Sequence, residues 1–265
     1  MERKVMKIEL PVVLLAGGLG TRMREETEYK PKPMVEIGGH PVLWHIMKNL
    51  SASKLNEFVI CSGYKGEQIK NFFLNYGALG HDFTVHLGDS SSIKLHGAET
   101  IENWSVTVAD TGPSTMTGGR VNRIRKYVAG RRFLVTYGDG LADVDIEKLL
   151  SFHLQHGKIA TVTTVRPFSR FGVMEIDGSG KVSKFREKPQ VADWVNIGYF
   201  IFEPEIFEYL DNDCVLEKEP LEQLAKNGEL FAFQHNGFWE PMDTYRESKA
   251  LNDLWESDKA PWKTW

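Results

Sequence analysis

Short apolar runs alternating with helix-spaced segments restrict this chain, before anything else, to a layered α/β architecture. Val12-Val13-Leu14-Leu15, Phe58-Val59-Ile60-Cys61, Phe133-Leu134-Val135-Thr136 and Ala160-Thr161-Val162-Thr163-Thr164-Val165 are rich in β-branched or aromatic residues and bounded by turn residues. That is the pattern of strands buried on both faces. Between the first two, Val42, Leu43, Ile46, Met47 and Leu50 follow helical spacing after Pro41, which suits a first helical turn. The spacing returns at Ile146, Leu149, Leu150, His153 and Leu154 and stops at Gly157. A largely parallel sheet covered on both faces is expected, with ligands beyond the carboxyl ends of its strands.

Other segments have a different texture. Val173 to Asp177 and Lys181 to Phe185 alternate about Gly178-Ser179-Gly180, a hairpin signal. Phe83 to Leu87 and Val106 to Val108 read as half-exposed strands, so the sheet is expected to be mixed. Asp89 to Glu102 is polar without a period and is expected to be a loop, and Thr244 to Trp255 a closing helix with Leu251, Leu254 and Trp255 inward. With 265 residues, 42% of them hydrophobic, and no linker-like run, the chain is expected to form one domain spanning 1–265.

A net charge of -4 gives no basic field of the kind that draws proteins onto nucleic acid or anionic membranes. Val12 to Ala16 is too short for a signal-peptide core or a membrane span. Cys61 and Cys214 form no CxxC pair, and a reducing cytoplasmic setting is expected.

The strongest chemical signal is the first strand running straight into Ala16-Gly17-Gly18-Leu19-Gly20-Thr21-Arg22. Its glycines let backbone N–H groups close on an anion, and Arg22 adds charged donors. A purely structural turn is the alternative. Neither a Walker A loop nor a dinucleotide fingerprint fits, because the spacing of the first is absent and TRMREETEYKPKPM follows Gly20 in place of an amphipathic helix. Lys32, stiffened between Pro31 and Pro33, is either a second phosphate contact or a solvated lysine. Asp139, between Gly138 and Gly140 at the end of a buried strand, suits Mg²⁺ or caps a turn. Asp243 is a second metal carboxylate or a helix N-cap. Glu187 and Lys188 stand at a strand end as a functional pair or as solvated charge. His153 and His156, one turn apart, lack a third ligand and are not expected to bind metal.

LAGGLGTR, YKPKPMVEIGGHPVLWHIM, VADTGPSTMTGGR, TYGDGLADVDI, FREKPQ, GFWEPMDT and KAPWKTW together resemble the sugar nucleotidyltransferases, and among them the glucose-1-phosphate cytidylyltransferase family, from about Val12 to Trp265. The resemblance implies a Rossmann-like three-layer α/β/α fold of the nucleotide-diphospho-sugar transferase type. It also implies transfer of a cytidylyl group from CTP to glucose 1-phosphate, with Mg²⁺ as cofactor. On the same basis Leu15, Ala16, Gly17, Gly18, Leu19, Gly20, Thr21 and Arg22 would wrap the nucleotide, with Lys32 by the triphosphate. Thr115, Arg120 and Gly138 would contact CTP, and Asp139 and Asp243 would bind the metal. Lys188 would meet the sugar phosphate and Asn196 the sugar hydroxyls. Arg22, Lys32 and Asp139 are the expected catalytic residues. Where the family shows Asn-Gly-Gly, this chain has Asn196-Ile197-Gly198, which adds bulk near the sugar. No nucleic-acid or membrane partner is expected; a homo-oligomer is, with exposed aromatics near Trp255, Trp262 and Trp265 as a candidate interface. The rival readings are the same chemistry on another nucleotide or sugar 1-phosphate, and a non-catalytic nucleotide-sugar sensor.

Overall fold

All the apolar runs enter one seven-stranded sheet in the computed structural model, which describes residues 10–88, 93–97, 101–128 and 130–265. Its strands are β1 (Val12–Ala16), β2 (Glu57–Ser62), β3 (Ser105–Asp110), β4 (Phe133–Tyr137), β5 (Ala160–Val165), β6 (Val195–Phe202) and β7 (Leu230–Gln234). They lie in the order β7-β5-β6-β4-β1-β2-β3. β6 runs antiparallel to β4 and β5, and every other pairing is parallel. The sheet is therefore mainly parallel, as the alternation predicts, and mixed through β6 rather than through the half-exposed segments: Val106 to Val108 lie in parallel β3, and Phe83–Val85 pairs outside this sheet.

Strand β1 shows why such a sheet needs cover on both sides. Val12, Leu14 and Ala16 join one core cluster with Ile46, Met47 and Leu50 of helix α1 (Val42–Ala52), whereas Val13 and Leu15 join another with Val121 and Ile124. Successive side chains point to opposite faces, so a continuous apolar run buries both. Each fully buried Val or Leu contributes about 1.5–3 kcal/mol. β1 is flanked by β2, which follows it, and by β4, which returns only after β3, so the strand order reverses at β1. A crevice opens at the carboxyl ends of β1 and β4 for that reason.

Local signals account for the helix ends. Helix α2 (Thr117–Arg123) is short. Helix α3 (Ile146–His156) starts at Asp145, whose carboxylate accepts from the Lys148 N–H, and stops at left-handed Gly157. Helix α4 (Tyr245–Glu256) starts at Thr244, which forms a reciprocal capping box with Glu247. Leu251 is fully buried and Leu254 and Trp255 are packed against the core. The hairpin also forms, with Val173–Ile176 pairing antiparallel to Val182–Arg186. No helix among the described residues is long and apolar enough to cross a membrane.

The structure departs from the sequence reading, or closes one of its alternatives, in three places. The stretch expected as loop contains a strand, Ile93–Leu95, paired with Phe83–Val85 outside the main sheet; three residues are too few to show a period, and residues 89–92 and 98–100 lie outside the described set. Asp243 is not the N-cap of α4, since Thr244 holds that position. Trp262, expected among exposed aromatics, is fully buried. It closes a box around His45, whose ring also meets Trp44 and Trp255 edge-on at 5.1 and 4.6 Å.

His45 is fully buried in that box. Its Nε2 lies 2.8 Å from the Ile37 carbonyl, which only accepts, so Nε2 carries the proton. Nδ1 then accepts from the Trp262 indole N–H at 3.4 Å. Burial, with nearby His40 acting in the same direction, lowers the His45 pKa to about 4 against the bond to Ile37. His153, bonded to Thr161 and Glu203, is lowered by burial to about 4 as well. Both rings are neutral in the folded chain where the unfolded chain is protonated, so stability falls as pH drops from 6.5 towards 4. The urea midpoint should decline through that window. His45→Gln should make the decline shallower, by on the order of 3 kcal/mol at most; an unchanged slope would remove His45 as a cause.

Candidate active site

The glycine loop leaves β1 at Ala16 and ends in a 3-10 turn, Thr21–Met23. Gly20 takes φ 62°, and a Cβ there would lie 2.7 Å from the Thr27 methyl. The Thr27 hydroxyl closes the turn from beneath, 2.9 Å from both the Gly20 and Met23 carbonyls. Gly18 has open space where a Cβ would stand, leaving its backbone approachable. The side chain of Arg22 lies outside the described set.

Arg120, carried by α2, is almost wholly buried beside this loop. Its guanidinium donates to the carbonyls of Gly17 (2.9 Å), Ser62 (3.2 Å) and Gly112 (2.9 Å) and to the Thr111 hydroxyl (2.7 Å). One planar group thus ties together the carboxyl ends of β1, β2 and β3. The fit requires glycine at position 17, where a Cβ would stand 2.0 Å from Nη1. Gly118 and Gly119 play a packing part: added Cβ atoms would meet Cys214 Sγ at 2.5 Å and the Asn212 carbonyl at 2.6 Å. These partners are remote in sequence, and no sequence signal announced them.

Asp139 and Asp243 meet because the chain on either side of them pairs. Gly140–Ala142 forms an antiparallel ribbon with Trp239–Pro241, and the Met242 N–H donates to the Asp139 carbonyl at 2.8 Å. The N–H groups of Asp243 and Thr244 donate to Glu247 Oε2 at 2.8 and 2.9 Å, while Arg170 holds the other oxygen at 2.6 Å. Glu247 thereby orients the segment that presents Asp243; the Thr-x-x-Glu spacing of a capping box was its available signal. Gly138 brings Asp139 against the loop, donating to the Leu15 carbonyl at 3.0 Å. From the other side comes Lys32, buried in a 3-10 turn entered through Pro31. Its ammonium lies 2.6 Å from Asp139 Oδ2 and 2.5 Å from Asp243 Oδ1. Lys32, Asp139 and Asp243 converge, with Lys32 facing the carboxylates.

Two clefts share this point. One, of about 370 Å³, is lined by Ala16, Gly17, Gly18, Thr115, Arg120 and Asp139 among others. The second, of about 310 Å³, is lined by Asp139, Asn196, Ile197, Trp239 and Asp243 among others. Tyr137 and Asp139 belong to both. The Tyr137 hydroxyl donates to Glu217, and burial together with that carboxylate raises its pKa above the ordinary phenol value. A bulge in β6 turns Asn196 towards its own strand, Oδ1 accepting from the Gly198 N–H at 2.7 Å. Gly198 has φ 81°, and a Cβ there would meet the Tyr137 ring at 2.0 Å. Ile197 is buried at the wall of the second cleft. Lys188 is exposed, takes φ 44°, and lines a neighbouring cavity with Arg170, Glu240 and Thr244.

Two carboxylate oxygens facing one cationic point form a hard donor set that fits a divalent ion such as Mg²⁺, which usually takes remaining ligands from water and phosphate. Among the described residues no group of three or more His, Cys, Asp or Glu side chains gathers to hold a metal. An ion here would therefore take the rest of its coordination shell from water and phosphate oxygens.

The nucleotidyl transferase family model matches residues 11–240. The chain is 50% identical to the glucose-1-phosphate cytidylyltransferase of Salmonella typhi over 259 residues, 97% of this chain and 100% of that protein. It is 40% identical over 258 residues to a probable glucose-1-phosphate cytidylyltransferase of Bacillus subtilis, with the same coverage of both. Among solved structures, HddC from Yersinia pseudotuberculosis superposes with a TM-score of 0.69 at 23% identity, covering 93% of this chain and 99% of that one, a likeness of fold.

The buried Arg120 bridge leads to a stability prediction. Arg120→Met removes the charged hydrogen bonds that link three strand ends, although the Ser62 and Gly17 carbonyls keep the Thr111 and Tyr64 N–H groups as donors, and should lower unfolding free energy by about 3 kcal/mol or more, measured by urea denaturation. A loss below about 0.5 kcal/mol, the range of ordinary surface changes, would contradict the bridging role.

Proposed function

The chain belongs to the nucleotidyl transferase family, and on that footing we propose that it transfers a cytidylyl group from CTP to glucose 1-phosphate, giving CDP-glucose and pyrophosphate. The observation that carries this reading is the meeting of Lys32, Asp139 and Asp243 where the glycine-loop cleft joins the Asn196 cleft. Half-identical relatives spanning the chain support the choice of substrates.

In this reading the phosphate oxygen of glucose 1-phosphate attacks the α-phosphorus of CTP as the bond to pyrophosphate breaks, and no protein nucleophile is needed. The difficulty is electrostatic, since two anions must approach and charge moves onto the leaving group. Backbone N–H groups of Gly17 to Thr21 cradle the triphosphate, with Arg22 assigned to its oxygens. Thr115, which lines that cleft, is assigned to the nucleotide. Arg120 acts from behind, its donors holding the loop and neighbouring strand ends in place. Gly138 lets Asp139 approach the nucleotide. Lys188 meets the sugar phosphate and Asn196 the sugar hydroxyls. Mg²⁺, held by Asp139 and Asp243, would supply positive charge to the phosphates. Cys61 and Cys214 are both free thiols, in keeping with a reducing cytoplasmic setting.

The test incubates the protein with Mg²⁺, glucose 1-phosphate and each nucleoside triphosphate in turn and measures pyrophosphate release. CTP should be preferred; no release with any triphosphate would sink the reading and leave a ligand sensor. Lys32→Met and Asp139→Asn should each reduce turnover by roughly 10²-fold or more. Near-normal turnover in both would withdraw these roles.

A further inference from the structure

The position of the Lys32 ammonium carries a consequence for metal binding. It touches both carboxylates at 2.6 and 2.5 Å, and the side chain is only 9% exposed. Asp139 and Asp243 would otherwise stand close together as like charges in a partly desolvated crevice, an arrangement that is costly unless a cation lies between them. Lys32 supplies such a cation. A divalent ion would draw on the same two carboxylates, and its bonds of about 2.0–2.1 Å to them would set its charge against that of the ammonium.

We infer that Lys32 and the divalent cation compete for the oxygens of Asp139 and Asp243, so that metal entry releases Lys32 towards the triphosphate. This rests on the reading that those two carboxylates hold the metal. Pro31 and Pro33 restrain the backbone, while the four-carbon stem leaves the ammonium free to swing. The triphosphate completes the exchange, since its oxygens give the displaced ammonium a new partner and the ion its missing ligands. Metal and nucleotide then favour one another's binding, and by linkage the effect is reciprocal. The ligand-free protein holds metal weakly because a resident charge must first leave. One side chain thus serves two partners in turn: the metal carboxylates before substrates bind and the phosphates afterwards.

Titration of Mn²⁺ into nucleotide-free protein, with unbound ion followed by electron paramagnetic resonance, tests the competition. Lys32→Met should bind Mn²⁺ about tenfold more tightly than the unaltered chain, or better, a difference of about 1.4 kcal/mol. The double variant Lys32→Met with Asp243→Asn should lose that gain. Should Lys32→Met be less stable through loss of these ion pairs, Mn²⁺ should raise its thermal midpoint more than that of the unaltered protein. Equal or weaker Mn²⁺ binding by Lys32→Met would overturn the proposal, as would a gain that survives in the double variant. Neither CTP nor glucose 1-phosphate enters the measurement, so its failure is separate from failure of the pyrophosphate assay.

Discussion

Two aspartates facing one ammonium form the interaction on which the rest of the site depends. Like charges at this separation persist in a crevice only with a cation between them and with their backbones held from outside. The holding comes from the Gly140–Ala142 and Trp239–Pro241 ribbon, the capping box at Thr244 and Glu247, and the turn that presents Lys32. Each is an ordinary structural device. Their conjunction at the carboxyl ends of β1 and β4 places charge where a parallel sheet opens its crevice.

Arg120 does the corresponding work for the glycine loop. Parallel strands end where the ladder stops, and the guanidinium links three carbonyls at those ends together with the Thr111 hydroxyl, adding charged bonds to the backbone donors that the Ser62 and Gly17 carbonyls already have. The loop is consequently fixed from below, while Gly18 stays open above. A residue that resemblance assigned to CTP therefore has a firm structural occupation of its own. Gly17 serves both sides, presenting its backbone to the cleft and making room for the guanidinium.

Much of the fold was legible because buried strands and amphipathic helices write their periods into the chain. The apolar runs, the hairpin about Gly178 and Gly180, and the stop at Gly157 needed no tertiary information. The failures have physical causes. Ile93–Leu95 is too short to carry a period, and Trp262 became buried only when His45 and Phe238 were brought to it. Asp243 and Thr244 are adjacent residues of capping type; Thr244 caps α4, and the Asp243 carboxylate faces Lys32 instead.

The sequence by itself determined the α/β class, the glycine loop and the residue types that could carry phosphate and metal chemistry, because local spacing and backbone freedom decide those. Tertiary structure decided who faces whom. Lys32 and Asp139 lie 107 positions apart, and Lys32 and Asp243 lie 211 apart. Only sheet order and ribbon pairing bring them together, since Coulomb attraction and hydrogen bonds act over ångströms in space and take no account of distance along the chain.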